Sequence, residues 1–265
     1  MTWTRPLALV TGASSGIGLE LAKQFVAHGY DVVMAAEDAA VETAADQVRQ
    51  PGVEVRAVQV DLRTAKGVER LYSAATEDER PLDAVALNAG VGRGGDFVAT
   101  DLDDDFDMIA RNVRSTVHLA KLVLGDMVRR DTGKLLFTSS IAATMPGARQ
   151  AVYNASKSFV QSLAEALREE VRGTGVTVTV LMPGPTDTDF FRWAKMLETV
   201  IGKGPEDDPA DVARQGVDAL LRGDQKVAAG SLGTKLLTTI NHVLPDSVKA
   251  AANRVAAAAP LPHRH

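Results

Sequence analysis

Tyr153 and Lys157 stand four residues apart in a stretch whose apolar periodicity runs as a helix over about 151–173, and residues at that separation share one helix face. A free tyrosine has a pKa near ~10 and is a poor base at neutral pH. A neighbouring ammonium, joined by a second positive charge in a partly dry site, favours the phenolate. Lowering the pKa by ~3 units takes roughly 4 kcal/mol of differential stabilisation. Such a pair could exchange a proton with a carbonyl or alcohol oxygen. Tyr-x-x-x-Lys also occurs as an ordinary surface pair, so its company decides the reading.

That company is specific. The strand pattern Lys134–Thr138 ends in Ser139-Ser140, and the carboxyl ends of parallel strands are where open α/β sheets bind ligands. A serine hydroxyl there can hold a substrate oxygen beside the tyrosine. Asn88-Ala89-Gly90 closes the preceding strand, and Asn112 lies inside the helical pattern 103–130, where asparagine is a mediocre helix former and is retained for hydrogen bonding. Near the N-terminus the first strand runs into Thr11-Gly12-Ala13-Ser14-Ser15-Gly16-Ile17-Gly18 with a helix directly after it. Glycines allow a tight turn and close backbone approach, and the helix start offers unpaired N–H groups and a positive dipole end to a pyrophosphate. The spacing is G-x-x-x-G-x-G, not the usual dinucleotide fingerprint, and a turn without a ligand is the plainer alternative. Gly90-Val91-Gly92-Arg93-Gly94-Gly95 matches that fingerprint literally. No helix begins there, so it reads as a loop lining the same cleft.

The elements that must position these residues alternate. Strands are expected at Leu7–Thr11, Asp31–Ala36, Val53–Val60, Asp83–Asn88, Lys134–Thr138 and Val176–Met182, and helices near 16–28, 39–50, 64–79, 103–130 and 151–173. Strands apolar nearly throughout belong to a parallel sheet covered on both faces. The alternation predicts right-handed βαβ units and an α/β fold with a Rossmann-like, doubly wound parallel sheet. Residues 1–230 form the dinucleotide-binding domain, including a substrate loop at about 185–208, a helix over Asp211–Leu221 and a last strand at Gln225–Ala229. Residues 231–265 read as a helical extension, broken at Pro245, that packs on the same domain.

Bulk properties narrow the class. The 265 residues are 45% hydrophobic and 24% charged, too apolar for disorder and enough to bury a core without cross-links. Absence of cysteine excludes disulfides, cysteine nucleophiles and thiolate metal sites. A net charge of −5 with no basic run argues against nucleic acid and against an anionic membrane surface. The apolar run Leu7–Val10 is too short for a signal-peptide core, which points to the cytoplasm. His28, His118, His242, His263 and His265 show no ligand spacing, so no metal is expected. Asn154-Ala155-Ser156 is a formal glycosylation sequon, but it lies between Tyr153 and Lys157 and is discounted.

Thr11-Gly-x-x-x-Gly-x-Gly18, Asp61, Asn88-Ala89-Gly90, Asn112, Ser140, Tyr153-x-x-x-Lys157 and Pro183-Gly184, in that order over about residues 6–190, resemble the short-chain dehydrogenase/reductase family. The resemblance implies an NAD(P)-dependent oxidoreductase with a catalytic tetrad of Asn112, Ser140, Tyr153 and Lys157. Ser140, not Ser139, has the family's spacing to the tyrosine. The resemblance also implies a dinucleotide held by Gly12, Ser14, Ser15, Gly16, Ile17 and Gly18. Asp61 with Leu62 would meet the adenine, and Asn88, Ala89 and Gly90 the adenosine side. Tyr153 and Lys157 would flank the nicotinamide ribose, and Pro183, Gly184 and Thr188 would sit by the carboxamide. A nicotinamide-binding sensor without turnover, and a lyase or epimerase on the same fold, are the competing readings.

Coenzyme choice turns on Glu37, after the second strand, because an acid there can accept from a ribose 2′-OH while arginine suits a 2′-phosphate. Glu37 and Asp38 would repel such a phosphate and Ser15 stands where arginine often serves it, so NAD(H) is favoured over NADP(H). The expected substrate is a mildly apolar carbonyl or secondary alcohol, in a pocket built from residues after Gly92, from 141–150 and from 186–208. Phe190, Phe191 and Trp193 either line it or form a core of their own, and Arg149 or Arg192 could meet an acid. The extension replaces the glycine-rich ending that many relatives pack at a tetramer interface. This puts the tetramer in doubt and leaves 103–130 and 151–173 as surfaces for a homodimer. The apolar stripe Leu236-Leu237, Ile240, Val243-Leu244 and Val248 would cover the substrate pocket, pack on a partner chain or touch a membrane, in that order of preference.

Overall fold

Residues 5–188, 206–231, 233–234, 248–250 and 254 are described by a computed structural model of the chain. Seven strands form one sheet: β1 (Leu7–Thr11), β2 (Asp31–Ala36), β3 (Val55–Gln59), β4 (Ala84–Leu87), β5 (Gly133–Thr138), β6 (Val176–Pro183) and β7 (Lys226–Ala229). Their order is β3-β2-β1-β4-β5-β6-β7, with every pairing parallel. The helices between them are α1 (Gly16–Ala27), α2 (Ala40–Val48), α3 (Ala65–Ala75), α4 (Leu102–Ile109), α5 (Ser115–Arg130), α6 (Ala151–Glu170) and α7 (Pro209–Arg222).

Successive strand residues face opposite sides of a sheet, and here both sides are covered. On one, Val10, Val32 and Met34 pack with Leu21 and Phe25 of α1, Val41 of α2 and Val217 of α7. On the other, Leu9, Val33 and Phe137 pack with Leu71 of α3, Leu119 of α5 and Val160 of α6. Two buried faces explain why the strands carry apolar residues without alternation. The strand order reverses at β1, which lies between β2 and β4. Connections then leave in opposite directions and open a crevice at the strands' carboxyl ends.

Local signals set most element ends. Asp101 caps α4 by accepting from the Asp103 N–H at 2.8 Å, and Asp103, Asp104 and Asp105 fill its first turn, as a helix dipole favours. Asp208 caps α7, Pro209 opens it and Gly223 ends it in the left-handed region, the usual placement of both residues. Two expected helices differ. The pattern 64–79 stops as a helix at Ala75, where the Thr76 hydroxyl donates to the Tyr72 carbonyl and Glu79 turns to φ +55°. The pattern 103–130 is broken by a π turn at Ala110–Arg114, which contains Asn112. Most of the substrate loop lies outside the described residues, with Phe190, Phe191, Arg192 and Trp193. So do His242, His263, His265, Pro245 and the extension's apolar stripe apart from Val248. No described helix is long and apolar enough to cross a membrane.

The edge opposite the crevice is tied by a buried ion cluster. Asp31 Oδ2 accepts from Arg80 at 2.5 Å, Asp31 Oδ1 accepts from the Glu54 N–H at 2.9 Å, and Arg80 also donates to the Arg5 carbonyl and to Glu54. These residues precede or open β1, β2, β3 and β4, so one guanidinium gathers four strand starts. Asp31→Ala would leave that guanidinium, only 3% exposed, without its buried carboxylate. Removing one partner of such a pair costs about 3–5 kcal/mol. Urea unfolding is expected to show a loss near the lower figure with an unchanged slope; a loss below ~1 kcal/mol would mean that desolvation nearly cancels this pair.

Candidate active site

The glycine turn is shaped for close approach. Gly12 has φ +66°, and a Cβ there would lie 2.9 Å from Ala89 Cα; at Gly18 it would lie 1.9 Å from the Gly12 carbonyl oxygen. Asn88 locks the turn to the end of β4: its side-chain amide donates to the Thr11 carbonyl at 3.1 Å, while the Thr11 hydroxyl accepts from the Asn88 and Ala89 N–H groups at 3.0 Å. Asn88 and Ala89 thus serve the geometry of the turn directly. α1 begins at Gly16 with no side-chain cap from Ser15 and no acid in its first turn. α3, α4 and α7 are all capped by side chains. α2, α5 and α6 also lack side-chain caps; at α1 it is the glycine turn in front that lets an outside anion approach the N–H groups. The Ser14 hydroxyl donates to Asp38 at 3.1 Å. Thr188, two residues beyond the Thr186 carbonyl to which it donates, sits against Gly16, where a Cβ would meet its methyl at 2.9 Å.

The four residues expected to do chemistry converge. Tyr153 and Lys157 are both buried on α6, with Lys157 Nζ 6.0 Å from the Tyr153 ring centroid and donating a hydrogen bond to the Thr138 carbonyl at 3.0 Å. The two serines divide. Ser139 donates to the Lys157 main-chain carbonyl at 2.8 Å and faces the scaffold. Ser140 is hydrogen-bonded to Tyr153, and its hydroxyl also accepts from the Ala142 N–H at 3.1 Å. Asn112 is 1% exposed and its side chain acts as a strand partner for Val91. Oδ1 accepts from the Val91 N–H at 2.9 Å, and Nδ2 donates to the Val91 carbonyl at 2.8 Å and to the Ser156 hydroxyl at 2.9 Å. It sits in the π turn, a device that inserts a residue into a helix and often marks a functional site. Gly90 fits between, since a Cβ there would lie 3.1 Å from both Asn112 Oδ1 and Lys157 Nζ. Asn154 and Ser156 are buried, which closes the sequon to modification.

Electrostatics at this point favour the neutral phenol, whereas an ammonium joined by a second positive charge is expected to favour the phenolate. Burial pushes Tyr153 up to about 12, opposed by the hydrogen bond from Ser140, and burial pulls Lys157 down to about 8. Removal from water disfavours both charged forms, and it outweighs a cation at this distance.

At the far end of the crevice lies a network that no spacing announced. Glu37 follows β2 and pairs with Arg111 at 2.5 Å and Arg63 at 3.8 Å; both arginines also reach Asp107. Arg63 forks onto Asp61 through two 2.9 Å bonds, which hold the Asp61 carboxyl below its usual range. Glu37 and Asp61 are therefore charge-compensated. The Arg111–Asp107 spacing is a local helix signal, but its meeting with Glu37 depends on the sheet order. Leu62 packs beside the buried cluster on the α3 side of the sheet. Pro183 ends β6, and its carbonyl lies 3.4 Å from the Ser140 hydroxyl. Among the described residues no cluster of three His, Asp or Glu is placed to hold a metal.

Comparison with known proteins agrees with this fold. The sequence pattern of the family described as short chain dehydrogenase matches residues 6–196. Oxidoreductase UcpA of Salmonella typhimurium is 30% identical over 220 residues, covering 82% of this chain and 81% of that protein. A short-chain dehydrogenase from Sphingobium yanoikuyae, solved in complex with NADPH, aligns with a TM-score of 0.78 at 27% identity, over 84% of this chain and 86% of that one. A 3-ketoacyl-(acyl-carrier-protein) reductase from Brucella melitensis, complexed with NADH, aligns with a TM-score of 0.73 at 25% identity, over 81% and 90%.

With three tyrosines in the chain, ionisation of Tyr153 can be read as the tyrosinate absorbance of the chain minus that of Tyr153→Phe. At about pH 10.5 an ordinary tyrosine is largely ionised, whereas Tyr153, raised to about 12, is expected to contribute almost nothing without coenzyme. A full tyrosinate signal at that pH would show that burial does not govern it.

Proposed function

The chain belongs to the short-chain dehydrogenase/reductase family and is an NAD(P)-dependent oxidoreductase; on that premise we propose that it moves hydride between nicotinamide and a carbonyl or secondary alcohol, with Tyr153 as the acid/base. The convergence of Tyr153, Ser140, Lys157 and Asn112 at the crevice, opposite the glycine turn, carries this reading. The turn fits a dinucleotide: Gly12 and Gly18 leave no room for a side chain, and the α1 start is uncapped. Gly12, Ser14, Ser15, Gly16, Ile17 and Gly18 would hold the pyrophosphate side. Glu37, Asp61, Leu62, Asn88, Ala89 and Gly90 would hold the adenosine side, and Pro183, Gly184 and Thr188 the nicotinamide side. When bound, the coenzyme supplies or accepts the hydride.

The chain's own residues handle the oxygen and its proton. In reduction, Tyr153 gives its phenolic proton to the substrate oxygen as that oxygen gains charge, and Ser140 donates a hydrogen bond to the same oxygen. A neutral phenol at rest, which burial enforces, is the form that reduction needs. In oxidation the phenolate must form, and Lys157, fixed by Thr138, supplies a nearby positive charge. Asn112 holds the loop at Val91 and, through Ser156, the face of α6 that carries Tyr153. The substrate is a mildly apolar carbonyl or secondary alcohol.

NAD(H) remains the favoured coenzyme because Glu37 follows β2 where it can accept from a ribose hydroxyl. Arg111 and Arg63 offset its charge, so discrimination against a 2′-phosphate is expected within about tenfold, roughly 1.4 kcal/mol. The chain pairs with a second copy through Phe106 and Ile109 of α4, Val117 of α5 and Phe159 of α6, apolar side chains that stand exposed on adjoining helices.

In an assay of NADH and NADPH oxidation with a panel of ketones, Tyr153→Phe is expected to lose at least ~10³-fold in turnover, while fluorescence titration of either coenzyme changes by less than about threefold. Unchanged turnover would rule out Tyr153 as the proton donor. Light scattering after size exclusion should give a dimer for the parent chain and a monomer for Phe106→Glu with Phe159→Glu; a monomeric parent would exclude this pairing.

A further inference from the structure

Asp207 is a buried carboxylate. It is 8% exposed, and among the described residues no Lys, Arg or His pairs with it. Its partners are neutral: Oδ1 accepts from the Ser231 N–H at 2.8 Å, and Oδ2 accepts from the Thr234 hydroxyl at 2.6 Å. Its main chain forms an isolated parallel bridge with Thr186, in which the Asp207 N–H donates to the Pro185 carbonyl at 2.7 Å and the Asp187 N–H donates to the Asp207 carbonyl at 2.9 Å. One residue therefore joins the exit of β6, the exit of β7 and the first residues of the C-terminal extension.

Two glycines are fitted around it. A Cβ at Gly230, where φ is +132°, would lie 2.0 Å from Asp207 Oδ2; one at Gly184 would lie 3.0 Å from that oxygen and 2.6 Å from the Thr234 hydroxyl. Burying an unpaired charge is costly unless its hydrogen bonds are well made, and apolar residues would fill the same space at less cost. What the carboxylate gives that they cannot is direction. It ties the Ser231 N–H and the Thr234 hydroxyl to a residue whose own main chain bridges Thr186, and Thr188, next along the β6 exit, lies against Gly16 at the start of α1.

We propose that Asp207 is a positioning residue that holds Thr188 against the glycine turn, with Thr234 of the C-terminal extension as its second anchor, so that the extension contributes to coenzyme affinity. This rests on the dinucleotide reading above. Asp207 touches neither coenzyme nor substrate in this scheme; it acts through Thr186 and Thr188.

NADH binding, followed by fluorescence on the full chain, tests it. Asp207→Ala is expected to weaken NADH about tenfold, Asp207→Asn, which keeps an acceptor for Ser231, by no more than about threefold, and Thr234→Val by about threefold. Because Asp207 works through Thr188, Asp207→Ala should lose most of its effect in a Thr188→Ala background. Additive losses would overturn the proposal and leave a general packing role; so would NADH binding by Asp207→Ala as tight as by the parent. If Asp207→Ala does not fold, Thr234→Val alone and combined with Thr188→Ala gives the same two readings. Failure of the parent chain to bind NADH would instead overturn the dinucleotide reading.

Discussion

A phenol and an ammonium kept out of water on one face of a helix set the conditions for the rest of the site. Each is held in a setting that disfavours its charge, Tyr153 rising and Lys157 falling from their ordinary values, because burial removes hydration from both charged forms. A pair in that state is readily shifted by whatever charge next enters. That sensitivity requires fixed partners, and the structure provides them: the Thr138 main-chain carbonyl on the lysine, and the Ser140 hydroxyl, itself held by the Ala142 N–H, on the tyrosine.

The frame exists to bring such groups to one place. Parallel strands deliver Gly12, Asn88, Ser140 and Pro183 to the same edge, although they lie far apart in the chain. α6 delivers Tyr153 and Lys157. Asn112 comes from a helix whose regular course would not present it this way; the π turn and its paired bonds to Val91 use one amide side chain to finish a loop that lacks a strand neighbour. Where the backbone passes closest, glycine stands: at Gly90 a single methyl would crowd both Asn112 and Lys157.

Charge is treated differently at the two edges of the sheet. At the strand starts, Arg80 and Asp31 are buried and serve cohesion. At the carboxyl edge, the Glu37, Asp61 and Asp107 carboxylates meet Arg63 and Arg111 while still partly in water, so the network stays open to exchange with a ligand's own charges. Guanidinium forks donate to carboxylate and phosphate with similar geometry, which is why an acid after β2 does not by itself fix coenzyme choice.

Much of this was legible in the order of residues. The strands, the glycine turn, the α6 pair and the parallel sheet follow from local pattern: apolar runs, glycines that allow positive φ, and a four-residue spacing that helical geometry turns into proximity. Strand ends were off by a residue or two, because hydrogen bonding to a neighbour strand decides them. The break at Asn112, the service of Asn88 to the turn and the charge compensation of Glu37 were not legible, since each joins residues tens of positions apart. The choice between two adjacent serines rested on family resemblance, and the fold gives its physical basis in which hydroxyl points at Tyr153. Sequence determined which elements form and which chemical groups the chain possesses, because those depend on near neighbours. Tertiary structure alone decided which groups share a dry space, and so which of their charges survive, because burial and long-range pairing exist only once the sheet has assembled.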